Sequence, residues 1–162
     1  MSKLTSIRFL EQQKTPYEIF HYDPALGDAV EVAQAIGFPE YMVYKTLLVG
    51  SQQQNKPIIV MIPSQTSLDL KRLAQAVGEK KVQMLKHREA EALSGLQVGG
   101  ISALALTQKN WQVYMDNSAN QLQYIIISAG ERGTQVRVPV IELMRLLRVR
   151  LIDVAIDEDD VT

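Results

Sequence analysis

A chain of 162 residues, 46% hydrophobic and 22% charged, has the size and composition of one globular domain with a sizeable core, which excludes an intrinsically disordered chain. Its formal net charge of −1 excludes a broad nucleic-acid clamp, so any RNA contact must be local or shared with a partner. Cysteine is absent, which excludes a disulfide scaffold, a thiolate metal site and a cysteine nucleophile together.

The opening stretch, MSKLTSIRFLEQQ, is too polar for a signal peptide, and no segment reaches membrane-spanning length, so the expectation is a soluble cytoplasmic protein. Leu4, Ile7 and Leu10 recur three apart and predict a short amphipathic helix that stops before Pro16. YEIFHY alternates as a strand. Asp28 is placed to cap a second helix, with Glu31 three positions on and Gly37 at the far end. VYKTLLVG and IIVMIP predict two strands joined by the polar turn SQQQNKP, with Lys45 at the mouth of the first. Ser67 is expected to cap LDLKRLAQAV, and Gly78 to end it. After the basic cluster EKKVQMLKHRE, a short helix ends near Gly95, and VGGISALAL begins a glycine-marked loop. Trp111–Met115, Tyr124–Ile127 and TQVRV are predicted strands; Pro139 opens a last helix, and VRLIDVAI is a final short strand.

Several neighbouring strands are separated by loops too short for a crossover helix, which predicts a mixed or antiparallel α+β domain. One domain over residues 1–156 is expected, followed by an acidic tail, DEDDVT, over residues 157–162. His21 and His87 are far apart and belong to no ligand-spaced pair, and there is no GxSxG elbow, GxxxxGK[ST] loop or GxGxxG fingerprint, so neither a metal nor a cofactor is expected. What remains are small-residue loops at strand ends: Gly99, Gly100 and Ser102 in one, Ser128, Gly130 and Gly133 in another. Glycine there either makes a turn or lets backbone N–H groups approach a ligand and stabilise an oxyanion. Lys45 is open in the same way, between an aliphatic stem lying on apolar surface and a cation that contacts a ligand.

VYKTLLV, VGGIS and SAGERG, in this order and preceded by HYD and GDAVEVAQAIG, resemble the YbaK-type aminoacyl-tRNA deacylases, relatives of the editing domain inserted in bacterial prolyl-tRNA synthetase. The resemblance runs from about residue 3 to residue 156. It implies a mixed, largely antiparallel curved sheet flanked by helices, acting in trans on the acceptor end of an aminoacyl-tRNA, with prolyl-tRNA synthetase as a partner. The edited amino acid it implies is cysteine or alanine, most typically cysteine on tRNA(Pro). Lys45 matches the lysine of the family's YKTL stretch and would hold the terminal phosphate or ribose. Gly99, Gly100, Ile101 and Ser102 match a GGISP loop whose N–H groups would face the ester carbonyl, and Ser128 and Gly130 match an SGGKRG loop. Tyr22 matches an aromatic lining the pocket, and Leu26 stands where another aromatic is expected. The implied chemistry, in the cysteine-specific branch, is attack of the substrate thiol on its own ester, which needs positioning more than acid–base power.

Ala103 replaces the family's proline, Ala105 a glycine, Glu131 a lysine and Gln135 an acid. These departures motivate a rival reading: an editing-like domain that binds tRNA, a synthetase or another protein without catalysis. Among isolated candidates, Trp111 reads as a core or edge-strand aromatic and Asp116 as either a loop cap or a pocket-rim acid. KKVQMLKHR, Arg145, Arg148 and Arg150 read as solvated faces.

Overall fold

A computed structural model describes residues 3–52 and 56–157. The two richest apolar runs become the centre of the fold. IIVMIP forms β3 (Ile58–Pro63), every residue of which is buried, as befits a strand covered on both faces. It pairs antiparallel with β2 (Tyr44–Ser51), Lys45 opposite Ile62 and Val49 opposite Ile58, and parallel with β6 (Val113–Asp116). β5 (Val82–Met84) joins β2 antiparallel, and β9 (Arg150–Ile152) joins β6 parallel, giving a five-stranded sheet in the order β5-β2-β3-β6-β9. A second sheet is antiparallel: β1 (Glu18–His21), β8 (Thr134–Pro139) and β7 (Tyr124–Ser128), in the order β1-β8-β7. A parallel bridge from Val43 to Ile126 joins the two sheets just ahead of Lys45. The result is the expected single α+β domain with a mixed, largely antiparallel sheet.

The period-2 alternation of β3 divides its side chains between two cores. Ile59 and Met61 face a large core with Tyr44, Leu48, Leu104, Met115 and Leu143, while Ile58, Val60 and Ile62 face a smaller one with Leu73, Val82 and Val154. α1 (Thr5–Gln12) buries Ile7 and Leu10, and α5 (Val140–Leu147) buries Leu143, both on the first side; α3 (Leu70–Val77) buries Leu73 on the second. α2 (Ala29–Ile36) is capped by the Asp28 carboxylate, which accepts from Val30 N–H, and α4 (His87–Ser94) ends at Gly95 as expected. No helix among the described residues is long and apolar enough to cross a membrane.

Five local expectations are corrected. Asp69, not Ser67, caps α3, accepting from the Lys71 and Arg72 N–H groups. Ser67 is instead held extended in β4 (Thr66–Leu68) by pairing with β10 (Ala155–Asp157), a contact no local signal announces. VRLIDVAI is two strands in different sheets, β9 and β10, broken at Asp153 and Val154 where the buried Val154 turns inward. The strand expected at Trp111 begins at Val113, because Asn110 adopts a left-handed conformation with φ 57°. The basic cluster contains a short edge strand, β5. Of the supposed tail, Asp157 belongs to β10 opposite Thr66; residues 158–162 lie outside the described residues, as do residues 53–55 of the polar turn.

Candidate active site

Because Val43 is bridged to Ile126, the first residues of β2 stand at the seam between the sheets, and a cavity of about 270 Å³ opens there. Its walls come from four places in the chain: Tyr22 and Leu26 beyond β1, Lys45 and Thr46 on β2, Gly99 and Ile101 from the loop after α4, and Ser128 and Gln135 from β7 and β8. Ser128 and Gln135 are direct partners across the antiparallel pair, so their side chains sit side by side on one face.

Two loops are clamped together at the rim. The Arg132 Nε donates to Val98 O at 2.8 Å, and a Cβ on Gly100 would lie 2.8 Å from backbone atoms of Glu131 and Arg132, a distance that only glycine tolerates. Gly100 is therefore a packing residue. Its N–H donates to Gln97 O at 2.8 Å, whereas the N–H groups of Gly99 and Ile101 donate to no described residue. Gly130 donates its N–H to the Ser128 hydroxyl at 3.2 Å, which leaves the Ser128 O–H able to donate in turn.

The cavity is mainly apolar, with a few polar side chains on its lining residues. Thr46 and Gln135 both line it, and Thr46 Oγ1 and Gln135 Oε1 are shielded from solvent with no hydrogen-bond partner among the described residues. Buried polar atoms are almost always paired, so two unpartnered ones on lining residues make this cavity a candidate ligand site. Asp28 and Lys45 are the charged lining residues, and the Asp28 carboxylate already caps α2. Tyr44 also borders the cavity, but its hydroxyl lies 2.6 Å from Ser118 Oγ, and burial pushes its phenol up to about 12. It stays neutral at ordinary pH and supplies no base. Neither histidine lines the cavity.

Of the candidate residues, Tyr22, Leu26, Lys45, Gly99, Ile101 and Ser128 line this one cavity. Gly100, Gly130 and Ser102 are not among its lining residues: Gly100 packs the two rim loops together, and Ser102 is wholly buried with its hydroxyl unpartnered among the described residues. Thr46 had no sequence signal beyond its place next to Lys45, and Gln135 stood out only as a departure from the family pattern. Asp116 is a cap. Its carboxylate accepts from the N–H groups of Ser118, Val154 and Ala155 at 3.1, 3.1 and 2.9 Å, tying the β9–β10 corner to the end of β6. Among the described residues there is no group of three or more metal-ligating side chains.

Residues 23–146 match the aminoacyl-tRNA editing domain family, and the chain belongs to that family. It is 36% identical over 138 residues to EbsC of Enterococcus faecalis, a protein named as a candidate Cys-tRNA(Pro)/Cys-tRNA(Cys) deacylase; the alignment covers 83% of this chain and 82% of that one. The same fold occurs in a candidate trans-editing enzyme for prolyl-tRNA synthetase, with TM-score 0.81 and 18% identity over 95% of this chain and 98% of that one. A hypothetical protein of known structure matches with TM-score 0.85 and 19% identity, covering 94% and 99% of the two chains.

Proposed function

We propose that the protein is a trans-editing aminoacyl-tRNA deacylase that removes cysteine mischarged onto tRNA(Pro). The observation that carries this reading is the convergence of Lys45, Gly99, Ile101 and Ser128 with the two orphaned acceptors on one cavity, in a chain of the editing family. Lys45 is the cation at the cavity wall and holds the terminal phosphate or the ribose of the acceptor end. The Gly99 and Ile101 N–H groups receive the ester carbonyl oxygen as it becomes an oxyanion. Thr46 and Gln135 give the aminoacyl group polar partners.

With Tyr44 held neutral and no histidine in the lining, the nucleophile is best supplied by the substrate. The cysteine thiol attacks its own carbonyl carbon, the carbonyl–oxygen bond to the ribose breaks, and the thiol proton passes to the departing ribose oxygen. The products are a cyclic thiolactone and uncharged tRNA. The protein's task is then to fold the aminoacyl group into attack geometry, a contribution that can reach several orders of magnitude in rate. Prolyl-tRNA synthetase, which generates the mischarged substrate, is the proposed partner. The test is deacylation of Cys-, Ala- and Ser-charged tRNAs by the purified protein: the reading predicts turnover of Cys-tRNA(Pro) with release of the thiolactone, and loss of all three charged species at the uncatalysed rate would overturn it.

One observation favours a second reading, a domain that binds charged tRNA without cleaving it. The Gly100 N–H, expected at the oxyanion, is engaged by Gln97 O. That reading predicts retained affinity for charged tRNA with no turnover.

A further inference from the structure

A second and larger concavity, about 930 Å³, lies at the opposite end of β3. Its position follows from topology. β3, β6 and β9 run parallel as neighbours, so the residues that lead into all three strands emerge at one edge of the sheet. Those residues are Lys56 before β3, Trp111 before β6, and Arg148 with Arg150 at β9, and all four line the groove. Glu79 is its acidic member, and that carboxylate accepts from the Ser51 hydroxyl. A chain of net charge −1 thus gathers three cations and its one tryptophan at a single open groove. The Lys109 ammonium sits over the Trp111 ring, 5.8 Å from its centroid, and adds a fourth positive charge on one face of it.

Backbone strain points to the same place. Of the three described non-glycine residues with positive φ, two line this groove, Asn110 at 57° and Arg148 at 51°. Arg148 closes α5 at the position where glycine is the comfortable residue. A guanidinium kept at a strained position is the kind of outlier that accumulates where a side chain is needed by a ligand.

We propose that this groove is a second RNA-binding surface, in which Lys56, Arg148 and Arg150 take phosphates and Trp111 stacks on a base. The proposal rests on the reading of the chain as acting on aminoacyl-tRNA for the identity of the RNA. The spacing suits one continuous ligand. Lys45 pairs with Ile62 and the groove begins at Ile58, four residues along β3, a separation of about 13 Å at the rise of a strand. RNA whose esterified end is seated at Lys45 would need only a few nucleotides to span a distance of this size. Phosphate contacts supply affinity and aromatic stacking is tolerant of sequence, so the groove fixes the RNA without selecting the amino acid.

The chain contains one tryptophan and six tyrosines, so emission excited selectively at the tryptophan reports on this groove alone. Uncharged tRNA is titrated at several salt concentrations into the wild type and the double variant Arg148→Gly, Arg150→Gln. The expected result is quenching of Trp111 by tRNA, with a slope of log affinity against log salt that falls by about 2 in the variant, one for each phosphate no longer neutralised. The KM for charged tRNA should rise about tenfold with kcat kept. Arg148→Gly relieves a left-handed strain, so the variant should melt no earlier than the wild type, which separates weakened RNA binding from a damaged fold. Binding of tRNA with unchanged Trp111 emission, an unchanged salt slope in the variant, or no binding at low salt overturns the proposal. Uncharged tRNA carries no ester, so the result stands apart from whether the pocket deacylates.

Discussion

Replacing Gly100 by alanine tests whether the two rim loops are joined as described. The added Cβ would lie 2.8 Å from Arg132 N and from Glu131 C and Cα, all backbone atoms that cannot swing aside as a side-chain tip would. Two effects oppose each other. Losing a glycine from the unfolded chain stabilises by about 0.4–1 kcal/mol, while forcing an extra carbon into a packed contact costs about 1–3 kcal/mol. With three contacts inside van der Waals distance the second wins. At about 2–4 °C per kcal/mol for a chain of this size, the melting temperature should fall by several degrees. The same shift moves Gly99 away from Ser128, and a displacement near 1 Å at a positioning site can cost about 10²-fold in turnover. Thermal unfolding and single-turnover deacylation measure the two effects. Gly27→Ala is the control for stability, because a Cβ there meets nothing within 4 Å. If Gly100→Ala melted with the wild type and kept its turnover, the clamped-loop geometry would be wrong.

Lys45→Ala should lower kcat/KM by about 10²-fold or more, since removing a positioning group weakens the transition state as well as binding; unchanged kinetics would remove Lys45 from the site. Asp116→Ala should leave three backbone N–H groups without their carboxylate and cost about 3 kcal/mol, read by denaturant unfolding, with the KM for charged tRNA little changed. The Tyr44 phenol is raised by burial from its ordinary 10 to about 12, so between those values the unfolded chain releases a proton that the folded chain keeps. The contribution of this group to stability should therefore be unchanged below pH 10 and fall as the pH rises from 10 to 12. Tyr44→Phe should flatten that decline, and a decline of the same steepness in the variant would refute the assignment.

Where the chain's local chemistry and its tertiary contacts agree, the sequence was legible. β2 and β3 could be read because their apolar residues form unbroken runs, and α2 because Asp28 and Gly37 punctuate it at both ends. The lining of the candidate cavity was in part readable through motifs: Lys45, Gly99, Ile101 and Ser128 come together next to the Val43–Ile126 bridge, yet each lay within a recognisable stretch. The failures are non-local. Ser67 has good capping chemistry, but β10, nearly ninety residues away, pulls it into a strand. The break between β9 and β10 depends on Asp116, whose role as a cap needs partners from a distant corner. Thr46 and Gln135 could not be singled out, because what distinguishes them is the absence of a partner in a buried setting, a property of the fold and not of the residue. The groove of Trp111, Arg148 and Arg150 was hidden for the same reason: nothing local says that β3, β6 and β9 are parallel neighbours.

The most direct test of the central claim is a time course of Cys-tRNA(Pro) with catalytic amounts of the protein, followed by the fate of the labelled amino acid. Multiple-turnover loss of charged tRNA with the label recovered as the cysteine thiolactone is the predicted result, and it should disappear when the thiol is replaced, as in Ser-tRNA(Pro). Charged tRNA that is bound and protected, decaying no faster than in buffer, would contradict it and leave the binding reading in its place.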